Sequence, residues 1–450
     1  MKNILIALLL PASLVAQTPI YRSVQPGVTA AIGTGTGTLT ISGSTATFSV
    51  SQPDSVGVGD AIQYDSDGNS SIDAIAFIHG RTSGTEYTVK NAAGAEPTAV
   101  TGDEDWDIFR AYVSISHVEG GTENTGIDAA VRAFDGGTID MVTATQTWHF
   151  ACYRGTDATT IQWDTWNSNP TYYAEFFSPH NNDQVGTSQR HLYILSGSGT
   201  VFYHTGTVGT SFGLILDGLR IEKSAGAGNN FMCERSETNG VLWITNNVFI
   251  DQGHTTNTTN CLRITNGSSR TFYVWNNVLI ALSNAGTSLN VGPNSGTGYV
   301  FNNTALSNFQ CYVETSTGNG VRMMNNVAGD LGGAGVFNGW SGDWWGDSDY
   351  NTTSANADAP GANSLQDITF TSLTSTNWHF DAADAAIAIG TDLSGHANLP
   401  FSTDIDGDTR STWNMGADEY IAVGGRKRKK PIWWSEYHEK DFIDWLLALR

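Results

Sequence analysis

Between residues 210 and 355 the chain alternates apolar and polar positions in short runs, and the runs stop at paired asparagines. Leu242-Trp243-Ile244-Thr245 meets Asn246-Asn247 and leaves as Val248-Phe249-Ile250. Tyr273-Val274-Trp275, Tyr299-Val300-Phe301 and Arg322-Met323-Met324 repeat the pattern before Asn276-Asn277, Asn302-Asn303 and Asn325-Asn326, so the doublets recur after 30, 26 and 23 residues. Alternation with a period of two predicts strands buried on one side. Recurrence at roughly 20–50 residues predicts units that bury their apolar face only by stacking on one another. Asparagine tolerates the left-handed backbone of a tight corner, and its amide can bond to the equivalent amide of the next unit, so the doublets read as structural. A second run per unit surrounds Cys233, Leu262, Leu289 and Cys311. Strand alternation there predicts Cys233, Leu262, Ile264, Leu289, Val291, Cys311 and Val313 facing inward. Glu234, Arg263, Asn290 and Tyr312 then line one outer column.

This pattern predicts an all-β fold, a right-handed parallel β-helix whose short strands stack coil on coil at about 4.8 Å. A leucine-rich frame is missing. The helix is expected over residues 119–421 with its C-terminal cap. Residues 27–118, rich in Gly, Thr, Ser and Val, predict a small β-rich domain or N-terminal cap, which a stack with open strand edges requires. Residues 124–134 are expected to form a short helix over the first coil. Residues 1–16 have the basic start, short apolar core and small-residue end of a signal peptide. Residues 422–450 open with Arg426-Lys427-Arg428-Lys429-Lys430 and end in an amphipathic stretch, predicting a basic linker and a helix.

The asparagine coils resemble the right-handed β-helix superfamily that includes pectate-lyase-like enzymes. After them come Trp378-His379-Phe380, the run from Ala385 to Asp392, Asp404-Ile405-Asp406-Gly407-Asp408-Thr409-Arg410 and Met415-Gly416-Ala417-Asp418-Glu419-Tyr420. These resemble the C-terminal segment of secreted β-helix proteins of the choice-of-anchor Q type. The resemblance covers residues 210–421 and implies fold and extracellular habit more firmly than activity. It explains the Asp404–Arg410 stretch as a structural motif in which Arg410 pairs with a carboxylate.

Composition narrows the partners. The 450 residues carry 44 acidic and 22 basic side chains, a formal charge of −22, with 15% charged residues and 50 glycines. That charged fraction, below the usual ~25%, suits turn-rich β structure. The negative field repels phosphate, so no nucleic acid is expected on the body of the chain. The basic tail suits an anionic membrane or an acidic partner, or serves as a solvated linker. Cys152, Cys233, Cys261 and Cys311 form no CxxC pair, which disfavours zinc and leaves buried thiols or a cross-coil disulfide.

Candidate chemistry is sparse. Asp65, Asp67, Asn69 and Asp73 place oxygen atoms at alternating positions, as a calcium loop does, though without the glycine and glutamate of an EF-hand. Calcium is the candidate cofactor, against a plain hairpin turn. In the outer column Glu234, Arg263 and Tyr312 are the candidate catalytic residues. A lyase needs a cation to neutralise a uronate and a base to take its proton, whereas a hydrolase needs two carboxylates about 5–9.5 Å apart. The plain alternative is a Glu234–Arg263 ion pair. Asn290, Glu314, Trp344 and Trp345 are the candidate sugar-binding residues, the tryptophans either stacking on sugars or plugging the end of the stack with Trp340. The expected function is an exported glycan-binding protein of the cell surface or the secreted space. The rivals are a polysaccharide lyase or glycoside hydrolase, and a virion tail or capsid-associated spike.

Overall fold

The computed structural model describes residues 17–420, apart from 137–138, 164, 198–200, 205–210, 224–231, 235–238, 252–259, 266–270, 293–295, 316–319, 333–336, 355, 382 and 385–388. The expected signal peptide and basic tail lie outside the described residues. So do most side chains around Glu234.

Strands dominate, with two short helices among the described residues, Ile115–Glu119 and Met141–Ala144. Three sheets are parallel, and successive strands visit them in turn. The rung in the middle runs from Asn239–Thr245 in the first sheet, through Val248–Asp251 in the second, to Asn260–Thr265 in the third. The next rung repeats this with Thr271–Trp275, Val278–Ala281 and Thr287–Gly292. Every strand therefore pairs with its counterpart one rung away.

Register makes the interior a set of columns. One runs Phe150, Phe176, Leu216, Ile244, Val274, Val300 and Met323, each in register with the next. Its neighbour contains Leu242, Phe272 and Gly298, where Gly298 must lack a side chain because a Cβ would lie 2.1 Å from the Phe272 ring. The large ring fills the room the glycine leaves.

The asparagine doublets divide their work. Asn246, Asn276, Asn302 and Asn325 are left-handed, with φ of 51–56°. The second member of each pair forms the ladder. Asn277 Oδ1 accepts the Asn247 amide, Asn303 Oδ1 the Asn277 amide, and Asn326 Oδ1 the Asn303 amide, at 2.9, 2.9 and 3.0 Å. Asn351 continues it below, and Gly218, also left-handed, stands at the corner above.

Residues 39–109 carry a seven-stranded antiparallel sheet, inserted between two strands of the first parallel sheet. Thr18–Val24, before it in the chain, is already the first strand of the first parallel sheet and pairs with Gln146–Cys152. The helix expected over 124–134 is a series of turns, with Asn124 bonded to Val28 and Arg110 carbonyls instead of starting a helix. At the open end of the interior column stands Arg22, buried and paired with Asp135 at 2.9 Å from its Nε, its guanidinium 3.6 Å from the centre of the Phe77 ring. Phe77 belongs to the inserted domain, so that domain closes the strand-edge end of the stack.

The described residues between 357 and 420 run back along the corner between the first and second sheets. Asn325 donates to Thr391, Asn302 to Asn414 and Gly416, and Asn276 to Thr403. Arg410, fully buried, donates to Asn276 Oδ1 at 2.9 Å and to four carbonyls of its own segment, and lies 3.7 Å from Glu419. Trp378, Ile405 and Ala417 cover the outer face of the second sheet at Val248, Val278 and Ile280.

Candidate functional site

Strand alternation that sends the interior columns inward sends their neighbours outward. On the first sheet the outward column reads Tyr21, His149, Glu175, Ile215, Trp243, Tyr273, Tyr299 and Arg322, in unbroken register. Its upper end is covered by the inserted domain, where Tyr21 meets His79 edge-on and stacks on His149 at 4.8 Å. Its lower end is covered by the C-terminal segment, whose His396 packs edge-on against Tyr299 and Phe301. The middle stays open.

There a cleft of about 360 Å³ lies between the sheet and Phe401-Ser402-Thr403, lined also by Glu175, Ile215, Asp217, Trp243, Thr245, Asn246 and Trp275. Ile215 is the short side chain between Glu175 and Trp243, which makes the recess. Trp243 heads a ladder of parallel rings, 6.1 Å from Tyr273, which stands 5.2 Å from Tyr299. The indole is half-buried, so the ladder fixes its plane without covering it.

Two carboxylates enter the recess from adjacent strands. Glu175 faces Ile215 in register and Asp217 is two residues further on, a diagonal relation that spaces backbone positions by about 7–8 Å. Their surroundings differ. His149 Nδ1 donates to Glu175 Oε2 at 2.5 Å and contacts Thr147 through Nε2 at 3.0 Å. Asp217 Oδ1 accepts the Asn246 side-chain amide at 2.6 Å. Burial pushes the Asp217 carboxyl above the ordinary range, Arg190 opposes the shift and Glu175 adds to it. Burial likewise raises the Tyr173 hydroxyl, with Glu175 as the next cause.

The residues singled out from sequence lie elsewhere, on the third sheet, and do not form one column. Arg263 and Asn290 are in register and half-buried, with Asn290 donating to Asn260 at 3.3 Å. Tyr312 is not beside them. It pairs with Leu289 and Trp340, is fully buried, stacks on Trp340 at 4.2 Å, and its hydroxyl donates to the Asn303 or the Val327 carbonyl, both at 3.1 Å. Burial raises that hydroxyl well above its usual range, which removes it as a surface base. The outward place is taken by Val313, expected inside, since a one-residue slip exchanges the two faces. Backbone register also sets Glu234 beside Ile264, and Cys233 beside Arg263. Glu314 is buried, in register with Val291. Trp344 packs edge-on against Trp340, and Trp345 is 37% exposed, 5.0 Å from the Arg322 guanidinium.

For cations, Asp65, Asp67 and Asp73 bring ligand oxygens within 4.8 Å of one another. Asp65 already accepts the amides of Asp67, Gly68 and Ser70, Asp73 that of Ser66, and Asn69 is bonded to Asp67. The loop therefore closes through its own backbone, and three carboxylates supply fewer than the six to eight oxygens calcium takes, leaving carbonyls and water to complete the shell. His379, Asp406 and Asp418 form a second convergence, with His379 Nδ1 3.2 Å from Asp418. Its nitrogen ligand suits a borderline metal better than calcium. Of the cysteines, Cys152, Cys261 and Cys311 are buried free thiols whose titration burial raises well above the usual range, so they are inert packing groups.

Comparison of the chain with protein-family models, with curated proteins and with solved structures finds no match.

Proposed function

We propose that this chain is an exported right-handed parallel β-helix protein of the pectate-lyase-like superfamily, with a choice-of-anchor Q type C-terminal region, that binds a polysaccharide or cell-surface glycan. Three parallel sheets visited in rotation support the solenoid reading, and parallel crossovers are right-handed in about 98% of cases. The anchoring role of Arg410 and the amino acids around it supports the C-terminal resemblance. Residues 1–16 support export. The observation that carries glycan binding is the recess at Ile215, with indole walls at Trp243 and Trp275 and hydrogen-bonding carboxylates at its rim. Flat apolar rings beside a few fixed polar groups are what a sugar ring needs, one face being C–H and the rim hydroxyl.

The test is depletion of the full chain by insoluble polysaccharides, with Trp243→Ala as the comparison. Retention of the wild type and release of the variant supports the reading, and equal behaviour of both on every polysaccharide overturns it.

A second reading, glycoside hydrolysis, is favoured by the unequal carboxylates. Asp217, raised by burial, suits a general acid, and Glu175, held by His149, a base or nucleophile. New reducing ends that vanish in Asp217→Asn would favour it. Ultraviolet-absorbing unsaturated products would instead favour a lyase. In either reading calcium at Asp65, Asp67 and Asp73 acts as a structural ion. The basic tail docks on anionic lipid or an acidic partner.

A further inference from the structure

The chemistry of the recess selects among glycans, and this step rests on the glycan-binding reading above. Among the described residues that line it none is cationic, while two, Glu175 and Asp217, are carboxylic. The nearby cations hydrogen-bond outside the recess, and Arg190 reaches Asp217 only through its field, which opposes the burial shift. Arg190 donates to the Ile405 carbonyl at 2.6 Å and contacts His180 Nε2 at 3.1 Å, and Arg322, further along the column, bonds Asp347 at 2.9 Å. His149 faces Glu175 rather than the recess. We propose that the recess takes a sugar bearing an amino group, in a polymer rich in unacetylated amino sugars, with the ammonium between Glu175 and Asp217 and the pyranose against Trp243.

Three observations support the choice. An ammonium carries three donors and no acceptor, which matches two acceptor-only carboxylates entering from adjacent strands. The Asp217 carboxyl stays raised by burial even with Arg190 and the Asn246 amide acting against the shift, so its ionised form gains from a further cation. The chain as a whole carries −22, so it repels a polyuronate and draws in a polycation over distances set by salt. A polyuronate would bring its charge to a recess whose rim is already negative. A neutral glycan would leave two partly desolvated carboxylates with hydroxyl donors alone.

The experiment is titration calorimetry of the full chain with hexamers of β-linked glucosamine, N-acetylglucosamine and glucose, and of galacturonate. The glucosamine hexamer is expected to bind at least about tenfold more tightly than the acetylated one. Raising salt from about 0.05 to about 0.3 M should weaken it selectively. The preference should shrink toward unity in Glu175→Gln and Asp217→Asn. Equal or tighter binding of the acetylated, neutral or acidic hexamer by the wild type overturns the inference and leaves the glycan reading standing. Failure of all four hexamers to bind, or undiminished binding in Trp243→Ala, overturns the glycan reading itself. The wild-type ranking decides the matter even where a carboxylate variant fails to fold.

Discussion

The asparagine corner and the open face of the first sheet are built by the same device, a side chain repeated at one position of every rung, yet they end differently. At the corner each amide finds its partner on the next rung, and the buried asparagines 276, 277, 302, 303, 325 and 326 are shielded from solvent. On the face, Trp243 and Tyr273 stack just as regularly but remain half-buried, and the two carboxylates beside them face a recess. Repetition that satisfies every polar group makes a scaffold, whereas repetition that stops short leaves binding surface. If that contrast is right, changes at the corner should move stability and changes on the face should move binding.

The largest effect is expected where the C-terminal segment is pinned to the corner. Arg410→Met leaves the carbonyls of Thr403, Asn414, Gly416 and Ala417 without that donor and Glu419 without its nearby cation, for a loss of about 3–5 kcal/mol. Because Phe401-Ser402-Thr403 is one wall of the recess, this variant should also lose glycan binding. Limited proteolysis checks the detachment, with new cleavage expected within residues 391–420. A variant that keeps its melting temperature and its protease resistance would erase the distinction between scaffold and site.

Next comes a rung of the ladder. Asn303 accepts from the backbone and side-chain amides of Asn277 and donates to Val274, Phe301 and Asn326. Asn303→Ala orphans a buried amide and shortens a cooperative chain, an expected cost of about 2–4 kcal/mol in the unfolding free energy from chemical denaturation. A loss below about 1 kcal/mol would show that the ladder is incidental.

What could be read in the sequence follows the same division. The asparagines were legible because a left-handed corner and a ladder both demand the same residue at the same place, whatever the loop lengths between. The outward column of the first sheet demands no single residue. His149, Glu175, Ile215 and Trp243 share a position and little chemistry, so no repeat of residue type announces them. A signal did exist, since Ile215, Trp243, Tyr273, Tyr299 and Arg322 each stand three residues before a corner at Gly218, Asn246, Asn276, Asn302 or Asn325. The third sheet misled for a different reason. Without a corner to fix the phase there, an apolar run tolerates a one-residue shift, and Tyr312, which looks amphipathic, goes inside because two carbonyls lie within reach of its hydroxyl. The inserted domain was legible as strands but not as an insertion, because nothing in Thr18–Val24 says that its partner waits beyond residue 145.

Acid should test the scaffold more gently. His191, whose Nε2 lies 2.7 Å from the Asn246 carbonyl, is pushed down to about 3 chiefly by burial, and His180 to about 4 for the same reason. Both stay neutral in the fold where the unfolded chain, near 6.5, takes up protons, so their contribution is complete above that value and is lost as pH falls toward 4 and then 3. Asp404 acts in the opposite sense. Burial, then Asp406 and Asp418, raise it to about 7, so its contribution is present below its ordinary value near 3.9 and is lost as pH rises to about 7. Other buried carboxyls, Asp217 among them, are raised in the same sense as Asp404, so the readout is the change in slope on removing one histidine. In His191→Gln the slope from about pH 4 to about 6.5 should fall by up to about 1.4 kcal/mol per pH unit. An unchanged slope in chemical denaturation would mean that His191 is protonated in the fold.

The smallest effect on stability is predicted at the most functional residue. Trp243 and Ile244 are adjacent in one strand and point to opposite sides of the first sheet, so they expose the contrast within a single peptide unit. Ile244 lies in the interior column between Leu216 and Val274, and Ile244→Ala should cost about 2–5 kcal/mol through lost contacts and a cavity. Trp243 stacks on Tyr273, meets the Tyr173 ring at 6.0 Å and lines the recess, so Trp243→Ala loses mainly two ring contacts worth about 0.5–1.5 kcal/mol each with some burial of area. The larger side chain should thus matter less to folding. Glycan retention should show the reverse order, nearly abolished by Trp243→Ala and preserved by Ile244→Val, which keeps the interior filled. If Trp243→Ala instead destabilises as much as Ile244→Ala while leaving retention intact, the aromatic ladder is scaffold like the asparagine corner, and the recess has no claim to be a binding site.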